Sequence, residues 1–301
     1  MISIRYLVSG IRYHLHKMFS NAQISRYYDV SRSQYEWAWQ LKKSRSLHYG
    51  YWDASTKNLH EALMNINAKL AGLAVIKATD KVLDAGCGIG GSSLWMGKNI
   101  GCTVMGISLN ANQVATANGL AQKEGLAGYV HFEKRDFTST GFPDACFDVV
   151  WAIESVCHAA DKNDFIKEAW RVLKPGGRLI MADFFQQPGL TGTDERMMRD
   201  WAHGWACDHF TGISKFESLL KAAGFKDLQL HDSTDAIRPS ARRIYLAYFP
   251  GVVTGFLYNL FYPKVTEYGM KNIVTAKLQY KTLQKKLWQY YIVLAGKPGG
   301  Y

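Results

Sequence analysis

The stretch Lys81-Val-Leu-Asp-Ala-Gly-Cys-Gly-Ile-Gly-Gly91 constrains this chain more than any other. An apolar run carries an acidic residue, Asp84, near its end and then breaks into four glycines, Gly86, Gly88, Gly90 and Gly91. A helix-like run, Ser92–Lys98, follows. Glycines reach backbone angles closed to other residues and let a ligand lie against the main chain, while the helix N-terminus behind them offers free N–H donors. The stretch predicts a buried strand, a ligand-binding turn and a helix. Its Gly86-x-Gly88-x-x-Gly91 spacing also satisfies the dinucleotide fingerprint, so the glycines alone leave the ligand open.

The following segments narrow the choice. A dinucleotide site needs an acidic residue about 20 positions on, at the tip of the next strand, for the ribose hydroxyls. That strand reads Cys102-Thr-Val-Met-Gly-Ile107 and its tip is Ser108, which counts against NAD. Apolar strands are predicted at 81–85, 102–107, 129–133, 147–153 and 178–184, each followed by a helical pattern. This alternation predicts an α/β chain with a parallel, doubly wound sheet. Lys174-Pro-Gly-Gly177 reads as a sharp turn before the fifth strand, and further strands are expected at 225–231 and 288–295. Residues 1–75 read as mostly helical, most clearly Asn58–Ile76, where Leu59, Leu63, Ile66, Leu70 and Leu73 recur at helical spacing.

Roughly 55 residues separate the last two strands, where a hairpin needs only a few. They include Ile244–Tyr262, which is long and apolar enough to raise the question of a membrane span. Pro250, Gly251, Gly255 and Asn259 interrupt it, and a spanning helix between two strands of one sheet is topologically untenable. The segment is read as a lid over an apolar substrate, with peripheral membrane contact left open. Four regions result: a helical extension or cap (1–75), a Rossmann-like core (76–235), a helical lid insertion (236–287) and a final strand with its tail (288–301).

At 301 residues the chain can bury a full core. Its formal net charge of +11 suits anionic partners, but there is no Lys/Arg block and no nucleic-acid-binding motif, so no nucleic acid is expected. With 13% aromatic residues, the basic surface suits an anionic membrane face or plain solubility equally well. The five cysteines are odd in number and form no C-x-x-C pair, which predicts reduced, cytoplasmic usage with no disulfide framework and no metal site. Met1–Arg12 is too polar for a secretory segment and is read as a helix, packed on the domain or lying on a membrane.

Val82–Gly91 resembles the first motif of class I S-adenosyl-L-methionine-dependent methyltransferases, whose seven-stranded sheet ends in an antiparallel strand. Ser108, followed by Gln113, is similar to the subset containing sterol C-methyltransferases and tocopherol methyltransferases. The resemblance implies that Asp84, Gly86 and Gly88 hold the methionine part of the donor. It assigns Ile107, Ser108 and Gln113 to the ribose region, and Asp136 with Phe137 to the adenine. Phe147–Ile153 ends in Glu154-Ser-Val-Cys-His158, which resembles the Ile-Glu-x-x-x-His segment of sterol C-methyltransferases. Open α/β sheets place ligands at the carboxyl ends of strands. Glu154 and His158 are therefore the expected catalytic pair: a carboxylate to stabilise a carbocation from an alkene, and a base for the final proton or for a phenol hydroxyl.

Tyr27-Tyr-Asp29 and His48-Tyr-Gly-Tyr-Trp52 resemble the N-terminal segments of the same families, which puts Tyr49 at the donor. Trp201, Trp205, Asp208 and His209 fall at helical spacing, as pocket wall or as core. The expected acceptor is a hydrophobic terpenoid, sterol-like or prenyl lipid methylated on carbon. O-methylation of a prenylated phenol or quinol is the alternative, and a membrane-associated, donor-binding module without catalysis is the rival from another class.

Overall fold

The structure, a computed structural model, describes residues 19–38, 41–261 and 266–299. The expectation for Met1–Arg12 lies outside them. Two N-terminal helices, α1 (Asn21–Ala38) and the short α2 (Leu41–Ser44), precede α3 (Leu59–Leu73). In α3 the predicted stripe is the buried face except at its end: Leu59, Leu63, Ile66 and Leu70 are buried while Leu73 is half-buried, and the Asn58 side chain caps the helix by accepting from the Glu61 N–H.

The alternation then begins: β1 (Lys81–Ala85), α4 (Gly91–Asn99), β2 (Thr103–Ser108), α5 (Ala111–Lys123), β3 (Val130–Lys134), β4 (Phe147–Ile153), α6 (Lys162–Val172) and β5 (Leu173–Gln186). It continues through α7 (Gly192–Gly204), α8 (Ile213–Ala222), β6 (Lys226–Asp232), α9 (Thr234–Phe261), α10 (Thr266–Gln284) and β7 (Trp288–Gly296). One seven-stranded sheet has the order β3-β2-β1-β4-β5-β7-β6. The pairs β3–β2, β2–β1, β1–β4 and β4–β5 are parallel, and β7 runs antiparallel to both β5 and β6. The strand order reverses between β1 and β4, and such a switch point opens a crevice at the carboxyl ends of the strands.

Apolar layers cover both faces. One holds the α3 stripe with Trp201, Ile237, Leu283, Trp288, Tyr290 and Ile292. The other holds Phe165, Ile166, Phe216, Leu220, Val293 and Ala295. Strand β7 thus alternates between the layers, as the two-residue period of a strand requires.

Two expectations are corrected. The Lys174–Gly177 turn does not precede β5 but lies within it as a bulge. Register steps from Phe147↔Leu173 to Val149↔Arg178, and Gly176 takes φ +76°. The residues read as interruptions of 244–262 do not break α9, whose backbone runs unbroken from Thr234 to Phe261; Tyr262 lies outside the described residues. Tertiary packing overrides the local signal there, since α9 lies along α10 and α10 lies along α7. Among the described residues no helix is long and apolar enough to cross a membrane.

Candidate active site

The glycine turn is tied to the tip of β2. The Gly86 and Cys87 N–H groups both donate to the Ile107 carbonyl, at 3.0 and 2.9 Å. Gly86 takes φ +95°, and a Cβ there would collide with Ser155. Gly88, at φ +55°, is uncrowded instead: a Cβ there would meet only Leu47 Cδ1, at an ordinary 3.9 Å, so the backbone is bare where a ligand can approach. Asp84 sits beneath the turn, buried, and accepts from Ser93 Oγ at 2.6 Å. Burial raises its pKa to about 7, against the opposing hydrogen bond.

Helix α1 lies across this crevice, where Ile24, Ser25 and Tyr28 form part of the wall. Asn110, the N-cap of α5, fastens it: its Nδ2 donates to the Ser25 carbonyl (3.0 Å) and to Asp29 Oδ1 (2.9 Å). The tip of β2 is ordered by Ser108 Oγ donating to Gln113 Oε1 at 2.8 Å. The resulting cleft encloses about 840 Å³, open solvent at its mouth included.

Asp84, Gly86, Gly88, Ser108, Gln113, Phe137, Glu154 and His158 all line this cleft, so the structure gathers eight of the residues singled out in the sequence. Three others sit differently. Ile107 is fully buried and contributes its carbonyl to the turn. Asp136 accepts from Asn21 Nδ2 at 2.6 Å and from Thr138 at 2.8 and 2.7 Å, which commits its carboxylate to α1 and to its own turn. The Tyr49 side chain is buried, and its hydroxyl donates to Gln279 Oε1 at 2.6 Å.

Glu154 follows β4 in a left-handed conformation (φ +49°), its N–H held by the Ala182 carbonyl. A non-glycine residue held there carries backbone strain, which collects at functional sites. Its Oε1 accepts from the Tyr49 N–H at 2.7 Å and from the Tyr290 hydroxyl at 2.9 Å. Burial pushes this carboxyl well up; the two hydrogen bonds oppose the rise and nearby Asp183 adds to it. Behind it the rings of Tyr49, Phe184, Trp205, Trp288 and Tyr290 pack at centroid distances of 5.5–6.5 Å.

His158 ends a single 3-10 turn, Val156–His158. Its Nε2 lies 2.8 Å from the Tyr28 hydroxyl, and its Nδ1 lies 3.3 Å from the Ala206 carbonyl and 3.5 Å from Cys207 Sγ. Buried Asp183 accepts from the Cys157 and Phe184 N–H groups, and burial raises its pKa to about 6. The buried Lys162 amine donates to the Cys157 and Ala159 carbonyls.

Several of these residues were missed in the sequence. Tyr290 sits 136 positions from the carboxyl that it contacts, and Cys207 sits 49 positions from His158. The helical spacing of Trp201 with Trp205, Asp208 and His209 misled, because α7 ends at Gly204. Trp201 is core, and Asp208 accepts from the Phe19 N–H.

A family model described as a methyltransferase domain matches residues 83–181, from β1 into β5. The 27-O-demethylrifamycin SV methyltransferase of Amycolatopsis mediterranei is 34% identical over 218 residues, covering 72% of this chain and 79% of that protein. This chain belongs to the class I S-adenosyl-L-methionine-dependent methyltransferases. A sterol methyltransferase-like protein of Botryococcus braunii is 33% identical over 227 residues, 74% of the methyltransferase described here but only 56% of the relative. The crystal structure of the [4+2]-cyclase SpnF superposes with a TM-score of 0.76 at 23% identity, covering 94% of this chain and 98% of that one. At that identity the likeness shows the fold, and a fold hosts more than one chemistry.

The cleft of this methyltransferase suits its donor. S-adenosyl-L-methionine supplies an activated methyl on a sulfonium and carries an ammonium as well. Two buried carboxyls with raised pKa values, Asp84 and Glu154, line the cleft, and a cation beside either would favour its ionised form.

Proposed function

We propose that this methyltransferase acts on a hydrophobic small molecule of the terpenoid, sterol-like or prenyl-lipid class, with carbon as the favoured acceptor atom. The observation that carries this reading is Glu154, placed between the cleft and a cluster of aromatic rings. When an alkene takes up a methyl cation, the product is a carbocation. A carboxylate and aromatic faces lower the energy of such a charge, and the charge in turn favours the ionised carboxylate. The remaining work of the site is alignment, which α1 and the glycine turn perform by holding the walls in place.

Asp84, Gly86, Gly88, Ser108, Gln113 and Phe137 are proposed to hold the donor, with Glu154 and His158 at the reacting centre. Ile107 contributes through its carbonyl and Tyr49 through its backbone N–H. Asp136 reaches the adenine only by exchanging the contact with Asn21.

O-transfer to a phenol or other hydroxyl is the second reading, favoured by the Tyr28–His158 contact. A neutral imidazole at that position can take a hydroxyl proton. The rifamycin relative, named as acting at an oxygen, points the same way.

Incubation with isotopically labelled donor and a panel of sterols, prenyl diphosphates and prenylated phenols tests both. Mass spectrometry of the product locates the label on carbon or on oxygen. Transfer only to small polar acceptors would refute the reading. Cosedimentation with anionic vesicles tests the further expectation that a chain of net charge +11 meets such lipids at a membrane surface.

A further inference from the structure

The odd cysteine count and the absence of a C-x-x-C pair gave no reason to expect a metal site. The fold, however, brings Cys157, His158 and Cys207 together, with their ligand atoms all within 4.8 Å of one another. Among the described residues this is the one group of three such side chains. We propose that Cys157, His158 and Cys207 form a binding site for a thiophilic divalent cation of the zinc class.

Tetrahedral geometry with metal–sulfur bonds of about 2.3 Å and metal–nitrogen bonds of about 2.0–2.1 Å puts sulfur and nitrogen ligands roughly 3.5 Å apart. Cys207 Sγ lies 3.5 Å from His158 Nδ1. Two sulfurs and one imidazole match the preference of zinc, and three protein ligands leave a fourth position open.

The surroundings meet the second requirement of such sites, that the ligands be held from outside. The Tyr28 hydroxyl engages the other ring nitrogen, Nε2, at 2.8 Å. The Cys157 N–H donates to Asp183 and its carbonyl accepts from Lys162. Cys207 is fixed after α7 by its N–H, which donates to the Ala202 carbonyl. Charge also balances: two thiolates neutralise a dication, and Lys162 and Asp183 offset one another. His158 itself lines the donor cleft, which gives an ion a route in.

On binding, two S–H bonds break and their protons pass to water, while two metal–sulfur bonds and one metal–nitrogen bond form. The imidazole stays neutral, with its proton on Nε2, donated to the Tyr28 oxygen. That proton occupies the lone pair which His158 would use as a base, so the metal inhibits any methyl transfer that needs it. This consequence, unlike the site itself, rests on the reading of His158 above.

The test uses the full chain, reduced and anaerobic. Titration with Co²⁺ as a spectroscopic probe should produce a thiolate-to-cobalt charge-transfer band saturating at one equivalent. Cys157→Ser or Cys207→Ser should weaken binding on the order of 100-fold or more, and the control Cys146→Ser should leave it unchanged. X-ray absorption at the zinc edge on the wild-type protein needs no variant, and should give two sulfur neighbours with at least one nitrogen. No charge-transfer band, a zinc shell of only oxygen and nitrogen, or a Cys157–Cys207 disulfide that precludes binding would each overturn the proposal. If metal binds without slowing methyl transfer, the site stands and the role of His158 as a base falls.

Discussion

Replacing Asp84 with asparagine separates stability from donor binding, and the sign can be worked out from the structure. Asp84 is 2% exposed, and its carboxyl is raised from 3.8 to about 7 by burial. Below pH 3.8 the group is protonated in folded and unfolded chains alike and costs nothing. Between 3.8 and about 7 the unfolded chain ionises it while the folded chain keeps its proton, so stability falls as pH rises. Above 7 the full penalty is present, and at about 1.4 kcal/mol per tenfold change it comes to about 4 kcal/mol. At pH 5 it is only about 1.5 kcal/mol. Asparagine keeps an oxygen for Ser93 Oγ and carries no charge. Asp84→Asn should therefore stabilise the donor-free protein by about 2.5 kcal/mol more at pH 8 than at pH 5. Urea unfolding at the two pH values, followed by tryptophan fluorescence, measures the difference. The same variant should bind the donor on the order of 100-fold more weakly, and wild-type affinity should rise with pH up to about 7. An equal stability change at pH 5 and pH 8 would refute the account of a carboxyl neutralised by burial and waiting for a cation.

Glu154→Gln keeps the shape and the contact with Tyr290; turnover should drop about 100-fold while donor affinity by calorimetry stays near normal, and unchanged single-turnover rates would remove Glu154 from the chemistry. Tyr28→Phe deletes the hydroxyl held by His158 and should slow transfer about tenfold with a stability loss near 1 kcal/mol, read from kcat and from the thermal midpoint together. Gly86→Ala places a Cβ against Ser155 at φ +95°, and should cost about 2 kcal/mol or more along with donor affinity, as equilibrium binding would reveal. Trp201→Ala empties a fully buried site between Phe210 and Trp288, and calorimetric unfolding should show a loss of about 3–5 kcal/mol.

The parts of the molecule visible in the sequence are those governed by short periods. Strand alternation and the α3 stripe follow from burial on two faces or one, and they located every strand to within a few residues except β5. That strand starts early because a bulge absorbs Lys174–Gly177, and local turn chemistry does not distinguish a bulge from a connection. The glycine-turn side of the cleft was legible through the family resemblance: Asp84, Gly86, Gly88, Ser108 and Gln113 lie at or beside two consecutive strand-to-helix junctions, and all five line the cleft. Asp136 shows the limit, since Asn21 claims its carboxylate from 115 positions away. The partners of Glu154 and the neighbours of His158 come from distant segments, and no periodicity encodes such pairings.

The position of β7 bears on how the protein is made. It is the last of the described elements to leave the ribosome, yet it fits between β5 and β6, which are joined in the sheet only through it. The cleft, by contrast, is lined by residues from Ile24 to His158. The residues of this cleft thus leave the ribosome well before Tyr290, whose hydroxyl donates to Glu154. Until then the inner edges of β5 and β6 are open strand edges, the surfaces on which chains mispair. Pairings between segments so far apart in sequence form slowly, which lengthens the time those edges stay exposed.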